Sequence, residues 1–446
     1  MSKGIYDLII YWPVKTHRLG VLDSALISGT FTGGGGVNSQ QIMPRLAETY
    51  DLVYFPRSSV VHRINEEKKC QILKNIEKIE DLDIKVSPSF KSNIESFNQF
   101  DNSNFQKFRN NLITEYAKEI KPLKILYEND FSVPIFPNPL FLGEMYELSR
   151  FKGKTKFGIT LRGFGDINFN NSLKILLHTI WNEKFILNSQ IRGKYISLLI
   201  GPLRQRFVVS KLIWKGKVDF IGYINSYLVE LFSLKKSPAR LYDLSPAEAS
   251  RFAALDTKKK VKNQIVFFGR LVSEKGIFEI PHIAYHLKKL GAEFKIKIIG
   301  RFTFEHDNSI FNKLVGKLGV DDSIEYLGFL TEDEMVATIG SSKIFVNPSH
   351  SDAYSIAMLE ALSMGVPVVA YGIPFLTNLY KDMQGVSFVK EFDAKSMAIK
   401  IAELLSYSDS DFVNLFDKNT NDFIASHSSY DMASKLITSM IDSELI

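Results

Sequence analysis

The feature that most narrows the fold of this chain is a regular alternation of short apolar runs with helical patterns. Six strand-like runs lie in the first half, "YDLIIYW", "DLVYFP", "LKILYEN", "KFGITLRG", "YISLLI" and "KVDFIGY". Six more lie in the second, "NQIVFFG", "FKIKIIG", "SIEYLG", "KIFVNPS", "GVPVVAY" and "GVSFV". Such alternation implies βαβ units and a mostly parallel sheet. Each set suffices for one doubly wound sheet, so the expected fold class is α/β, with two facing Rossmann-like domains and an interdomain cleft. The stretch "SLKKSPARLYDLSPAEAS", with two prolines and no periodicity, is the expected joint. The division predicted is 1–245 for a first Rossmann-like domain, 246–427 for a second, and 428–446 for a C-terminal helix packing back on the first domain. Ligands of open α/β sheets sit outside the carboxyl ends of the strands, so two facing sheets can bind two substrates, one each.

Composition excludes several classes. With 446 residues, 45% hydrophobic and 23% charged, the chain is long and apolar enough for two or three cores, and disorder is set aside. One cysteine, Cys70, argues against a disulfide framework and fits a reducing compartment. No stretch approaches the roughly 20 apolar residues of a spanning helix, and "MSKGIYDLIIYWPV" lacks the pattern of a secretory signal. The expected location is cytoplasmic, with peripheral contact at the inner face of the cell membrane.

Charge is unevenly spread. Residues 1–245 hold 34 Lys and Arg against 23 Asp and Glu, a balance of +11, whereas the remaining 201 residues hold 21 against 26, a balance of −5. The segment 184–217 carries eight cations and no acid. Within it Leu203, Phe207, Val208, Leu212 and Trp214 recur at helical spacing beside Arg204, Lys211 and Lys215. That pattern suits either a helix lying on an anionic membrane surface or a core helix with a basic edge. Nucleic acid is not expected, because interleaved stacking aromatics and a reading module are missing.

Three strand-to-helix junctions suit a negatively charged ligand. The first is the glycine run Gly33 to Gly36 in "FTGGGGVNSQQIMPRL", where Gly35 and Gly36 let backbone N–H groups approach a phosphate or sugar before a helix begins near Asn38 and Ser39. The second is "VFFGRLVSEKGIFEI": a strand ends at Gly269, and Arg270 and Lys275 follow as a fork and a point charge able to clamp a diphosphate. The third is "NPSHSDAYSIAMLEALSMGVPVV", where Asp352 or Ser355 caps a helix and Glu360 follows two turns below Asp352 on nearly the same face. Glu360 is surrounded by apolar residues at almost every phase, and an ionised carboxylate there costs several kcal/mol without compensation. The expectation is that a ligand or partner supplies it.

Together "GRLVSEKGI", "YLGFL" with the following "EDEM", and "FVNPSHSDAYSIAMLEALSMGVPVVAYGIPFL" resemble the donor-binding half of retaining nucleotide-sugar glycosyltransferases of family 4, which have the GT-B fold. The resemblance is dense over about residues 262 to 406 and loose in the first half. It implies a hexosyltransferase with a nucleoside-diphosphate sugar donor, UDP-sugar foremost, and a glycan or lipid-diphosphate-linked glycan acceptor in bacterial surface polysaccharide synthesis. It implies no metal or other cofactor. It assigns Asp352 to hydroxyls of the donor sugar, Glu360 to the ribose, Arg270 and Lys275 to the diphosphate, and backbone N–H groups of Tyr354, Ser355 and Ile356 to that same diphosphate.

Two positions depart from the family pattern. The first acid is usually glutamate, so Asp352 is one methylene short. A histidine of the first domain is replaced by Arg162, which suits neutralising the leaving diphosphate or pairing with Asp166. Two other readings stand beside the transferase: a nucleotide-sugar epimerase of the same fold, for which acid and base residues are not found, and a non-catalytic partner subunit, which Asp352 and Arg162 would favour. The pairs Asp81/Asp83 and Asp409/Asp411 have metal-pair spacing but lie in polar, surface-like text, and the eight histidines form no ligand-spaced cluster.

Overall fold

The computed structural model describes residues 18–23, 25–28, 34–61, 64–97, 101–119, 124–129, 157–161, 207, 210–211, 213–252, 260–261, 263–303 and 305–445. The runs "YDLIIYW" and "YISLLI", Gly33, Arg162 with Asp166, and most of 184–217 fall outside these residues.

The described strands form two sheets. The first has the order β3-β2-β1-β4-β5-β6-β7, built from β1 (Arg18–Asp23), β2 (Asp51–Pro56), β3 (Lys85–Val86), β4 (Lys124–Asn129), β5 (Phe157–Leu161), β6 (Phe220–Tyr223) and β7 (Arg240–Asp243). The second has the order β10-β9-β8-β11-β12-β13, from β8 (Gln264–Phe268), β9 (Lys295–Ile299), β10 (Ile324–Gly328), β11 (Ile344–Asn347), β12 (Val368–Tyr371) and β13 (Val386–Val389). Every pairing is parallel. Both sheets reverse direction once, between β1 and β4 and between β8 and β11, as doubly wound sheets do.

In the second sheet the six apolar runs each become a strand, because β8, β11 and β12 are buried along their whole length and such strands must read as near-continuous apolar text. The first sheet holds three strands without such runs: β1, β3 and β7. The last is a half-exposed edge of four residues inside the predicted joint, so polar Arg240 and Asp243 are tolerated there.

Two apolar clusters fill the bodies, and the second body reaches into the first: Ala353, Tyr354, Leu359 and Phe375 belong to the cluster built around β1, β2 and β5. Fully buried Asn225 ties the bodies together, donating through Nδ2 to the carbonyls of Ala353 at 2.9 Å and Phe375 at 3.0 Å. The C-terminal helix Tyr430–Leu445 returns to the first body. It packs on the Gly34–Thr49 helix through buried Ala433, Ile437, Met440 and Ile441. Tyr50 donates to Asp442 at 2.8 Å, and Arg45 pairs with Asp431 at 2.6 Å.

Candidate functional site

The reversal between β8 and β11 brings the second and third junctions side by side at the carboxyl ends of adjacent strands, where α/β sheets open a crevice for ligands. After β8 the chain runs through Gly269 and Arg270 into a tight turn, Ser273–Lys275, closed by Gly276 at φ +77°. A Cβ at Gly276 would stand 2.0 Å from the Pro348 carbonyl oxygen, so only glycine lets this turn meet the loop after β11. The two loops are sewn at one atom: the N–H groups of His350 and Ser351 and the Ser349 hydroxyl all donate to the Glu274 carbonyl, at 2.9, 3.3 and 3.2 Å.

This closure places Lys275 against Asp352, with Nζ 2.6 Å from Oδ2 and 3.2 Å from the Ser351 carbonyl. Both side chains are mostly buried. The other Asp352 oxygen accepts the Ser355 N–H at 3.0 Å, so Asp352 also caps the turn entering the helix Ile356–Ser363. Ser355 itself is left-handed at φ +58°, a conformation that costs a non-glycine residue of order 1–3 kcal/mol and collects at ligand clamps. Among the described residues the half-buried Arg270 guanidinium has no hydrogen-bond or ion-pair partner. The site therefore combines one open cation, one cation bridged to an acid, and a strained helix start.

Two expectations at these junctions meet the structure. The Ser355 N–H, expected to face a diphosphate, donates here to Asp352 at 3.0 Å. The glycine run was expected to be a loop before a helix at Asn38. Instead the helix begins at Gly34, so Gly35 and Gly36 lie in its first turn. Packing of this helix against Tyr430–Leu445 offsets the roughly 1 kcal/mol that each helical glycine costs.

Glu360 draws compensation from within the chain. Its side chain is only 4% exposed, yet it has a partner within the chain: Arg251 Nε lies 2.6 Å from Oε1 and Nη2 3.2 Å from Oε2, a two-point fork on the carboxylate. Burial pushes the Glu360 pKa up, and Arg251 works against that. Spacing could not have shown this pair, because Arg251 sits 109 residues away in a segment without periodicity.

Beneath the loop lies a second buried cluster that sequence spacing also misses. His350 Nδ1 is 2.9 Å from Glu391 Oε1, and its Nε2 is 3.6 Å from Glu279 Oε1. Phe392 stacks on the ring at 4.4 Å, and Tyr371 donates to the other Glu279 oxygen at 2.8 Å. Burial alone would lower the His350 pKa, but its contacts with Glu279 and Glu391 outweigh it and raise the value. A raised folded pKa means that protonation stabilises the fold fully below about pH 6.5, and that this contribution is lost as pH rises through the folded value. His350→Gln is expected to remove that pH slope and to cost about 3 kcal/mol near the acid end, since buried Glu279 and partly buried Glu391 lose their cation. Urea midpoints followed from acid to alkaline pH check this, and an unchanged slope contradicts it.

Among the described residues no group of three His, Cys, Asp or Glu is arranged to hold a metal. The acid pairs have local duties: Asp81 caps the helix Glu66–Glu80, Asp83 sits in a left-handed turn, and Asp411 closes a capping box with Ser408. No helix of the described residues is long and apolar enough to cross a membrane.

Residues 252–422 match the family model described as Glycosyl transferases group 1. An alpha-D-kanosaminyltransferase of Streptomyces kanamyceticus is 26% identical over 141 residues, 32% of this chain and 36% of that protein. An alpha-monoglucosyldiacylglycerol synthase of Streptococcus pneumoniae is 32% identical over 288 residues, 61% of this chain and 63% of that protein. The chain thus spans less than two thirds of the length of either relative. A crystal structure of Anabaena HepE in complex with UDP and glucose shares the fold, with a TM-score of 0.60 at 11% identity, covering 96% of this chain and 100% of that one. The chain accordingly has the GT-B fold of two Rossmann-like domains and carries, over residues 252–422, a glycosyltransferase group 1 match that together with the fold supports a glycosyltransferase.

Proposed function

We propose that this protein transfers a hexosyl group from a nucleoside-diphosphate sugar, UDP-sugar foremost, to a glycan or lipid-linked glycan acceptor with retention of anomeric configuration. The observation that carries the reading is the switch-point pairing of Lys275 with Asp352, with Arg270 on the adjoining loop and without a hydrogen-bond or ion-pair partner among the described residues. Arg270 and Lys275 would hold the donor diphosphate, and Asp352, already bridged to Lys275, would orient the sugar above it. Glu360 would accept hydrogen bonds from the ribose hydroxyls.

No side chain is assigned as a covalent nucleophile. The leaving diphosphate departs from the face that the acceptor hydroxyl approaches, and fixed cations stabilise the charge it gains as the glycosidic bond lengthens. UDP with glucose in the HepE structure supports this donor class, and the glycolipid named for the pneumococcal relative supports a lipid-borne acceptor. Isothermal titration of the chain with a panel of nucleotide sugars tests the donor: saturable binding of at least one is expected, and binding of none overturns the reading.

The acceptor side is read from the basic first half. Phe207 is 59% exposed and Trp214 48%, seven positions apart, with the Lys211 ammonium 4.3 Å from the Phe207 ring centre. Exposed aromatics beside cations suit the headgroup region of an anionic bilayer. Co-sedimentation with anionic vesicles at low salt is expected, and full recovery in the supernatant would contradict it.

A further inference from the structure

Arg251 lies outside every motif that pointed to the site, yet it pairs with a deeply buried acid there. The residue belongs to the segment that passes from the first body to the second, and its backbone is held on both sides. Ser250 N–H donates to the His427 carbonyl at 2.9 Å, and Phe252, almost fully buried, lies under the guanidinium, whose Cζ is 4.9 Å from the ring centre. The side chain is 30% exposed while Glu360 is 4% exposed, so the pair sits at the border of the core with its acid inside.

We propose that Arg251 is a positioning residue that keeps Glu360 ionised and fixes the plane of its carboxylate for the ligand, without touching the ligand itself. The inference rests on the reading of Glu360 as the ribose acceptor. A carboxylate has about four lone-pair sites, and the Arg251 fork uses one on each oxygen, leaving one on each for a pair of neighbouring hydroxyls. A protonated carboxyl would turn one of those oxygens into a donor and break the match.

The surroundings favour protonation of Glu360, and Arg251 opposes them. Burial raises the Glu360 pKa, and Glu332 at the head of the helix Glu332–Gly340 adds negative charge in the same direction. Tyr430 at the start of the C-terminal helix acts on Glu360 and Arg251 together. Of the elements packed on the Glu360 helix, β11 has no titratable group, Tyr371 of β12 is bound to Glu279, and Lys418 and Asp422 of the helix Lys418–Ser426 pair with each other at the surface. Arg251 is the one cation that opposes the desolvation of Glu360 among these groups.

The experiment is calorimetric titration of the full chain with UDP across acid to alkaline pH. Arg251→Gln, with Arg251→Met as a second neutral variant should the first fail to fold, is expected to weaken UDP binding about tenfold or more near neutral pH and to recover with rising pH as the unpaired Glu360 ionises. The unmodified chain should show no such recovery above neutral pH, where the terminal phosphate of UDP is already ionised. Arg251→Lys, which keeps a charge but loses the fork, should follow the unmodified profile with a loss of only a few fold. Wild-type affinity of both neutral variants at every pH overturns the inference, and so does a pH-independent loss shared by Arg251→Lys, which would make Arg251 a ligand contact. Wild-type affinity of Glu360→Gln would instead overturn the reading on which the inference stands. Weak binding by Glu360→Gln with normal binding by Arg251→Gln overturns the inference alone.

Discussion

Replacing Glu360 by alanine is expected to weaken UDP-sugar binding by roughly a hundredfold or more, because two hydrogen bonds to an ionised acceptor, each worth about 1.5–3 kcal/mol, are lost at once. The variant also strips Arg251 of its counter-charge where that guanidinium is only 30% exposed. Removing one partner of a buried pair destabilises a fold in its own right, so stability must be followed alongside binding. Glu360→Gln separates the two effects: it keeps the shape and one acceptor oxygen but replaces the other with a donor. A large loss of affinity with a modest loss of stability is the expected outcome in calorimetry and urea unfolding. Wild-type affinity in Glu360→Gln would remove the ribose from this carboxylate.

Lys275→Ala should lower kcat by about two to three orders of magnitude, the range seen when a fixed group that stabilises transition-state charge is removed. Two losses coincide in this variant. The cation that meets the developing charge on the diphosphate disappears, and Asp352, held 2.6 Å from Nζ, loses the partner that directs it. Asp352 retains the Ser355 N–H, so the loop should persist. The expected kinetic signature is therefore a fall in kcat with a smaller change in KM, because the interaction strengthens as charge develops. Steady-state kinetics on a responsive nucleotide sugar checks it, and a kcat within about twofold of the unmodified chain contradicts it.

The legibility of this chain follows burial. In the second body the strands β8, β11 and β12 are buried along their length, so "QIVFF", "IFVN" and "VVAY" announce themselves. Their carboxyl ends made Arg270, Lys275 and Asp352 candidates without any contact being known, since a doubly wound sheet puts its loops at those ends. The edge strand β7 escaped because four half-exposed residues need no apolar run. The glycine helix was placed too late, since tertiary packing against the C-terminal helix overrides the poor local propensity of Gly34 to Gly36.

What spacing cannot reach is the partner of a buried charge. Arg251 meets Glu360 from 109 positions away, and His350 meets Glu391 from 41. Pairing at that range is set by how two bodies and their joint fold together. An apolar helix with one carboxylate did signal that compensation was required. It did not signal whether the compensation would come from the chain or from a ligand, and the structure assigns its first share to Arg251. The left-handed Ser355 was equally hidden, because a non-glycine residue carries no mark of a positive φ.

A crystal soaked with the nucleotide sugar that binds best would show whether the donor lies across the crevice between the β8 and β11 loops. Phosphate oxygens are expected within hydrogen-bond reach of Arg270 and Lys275, ribose hydroxyls on Glu360 with Arg251 still behind it, and the sugar beside Asp352. Density for the diphosphate away from Arg270 and Lys275, or a ribose that leaves Glu360 bound to Arg251 alone, would contradict that placement.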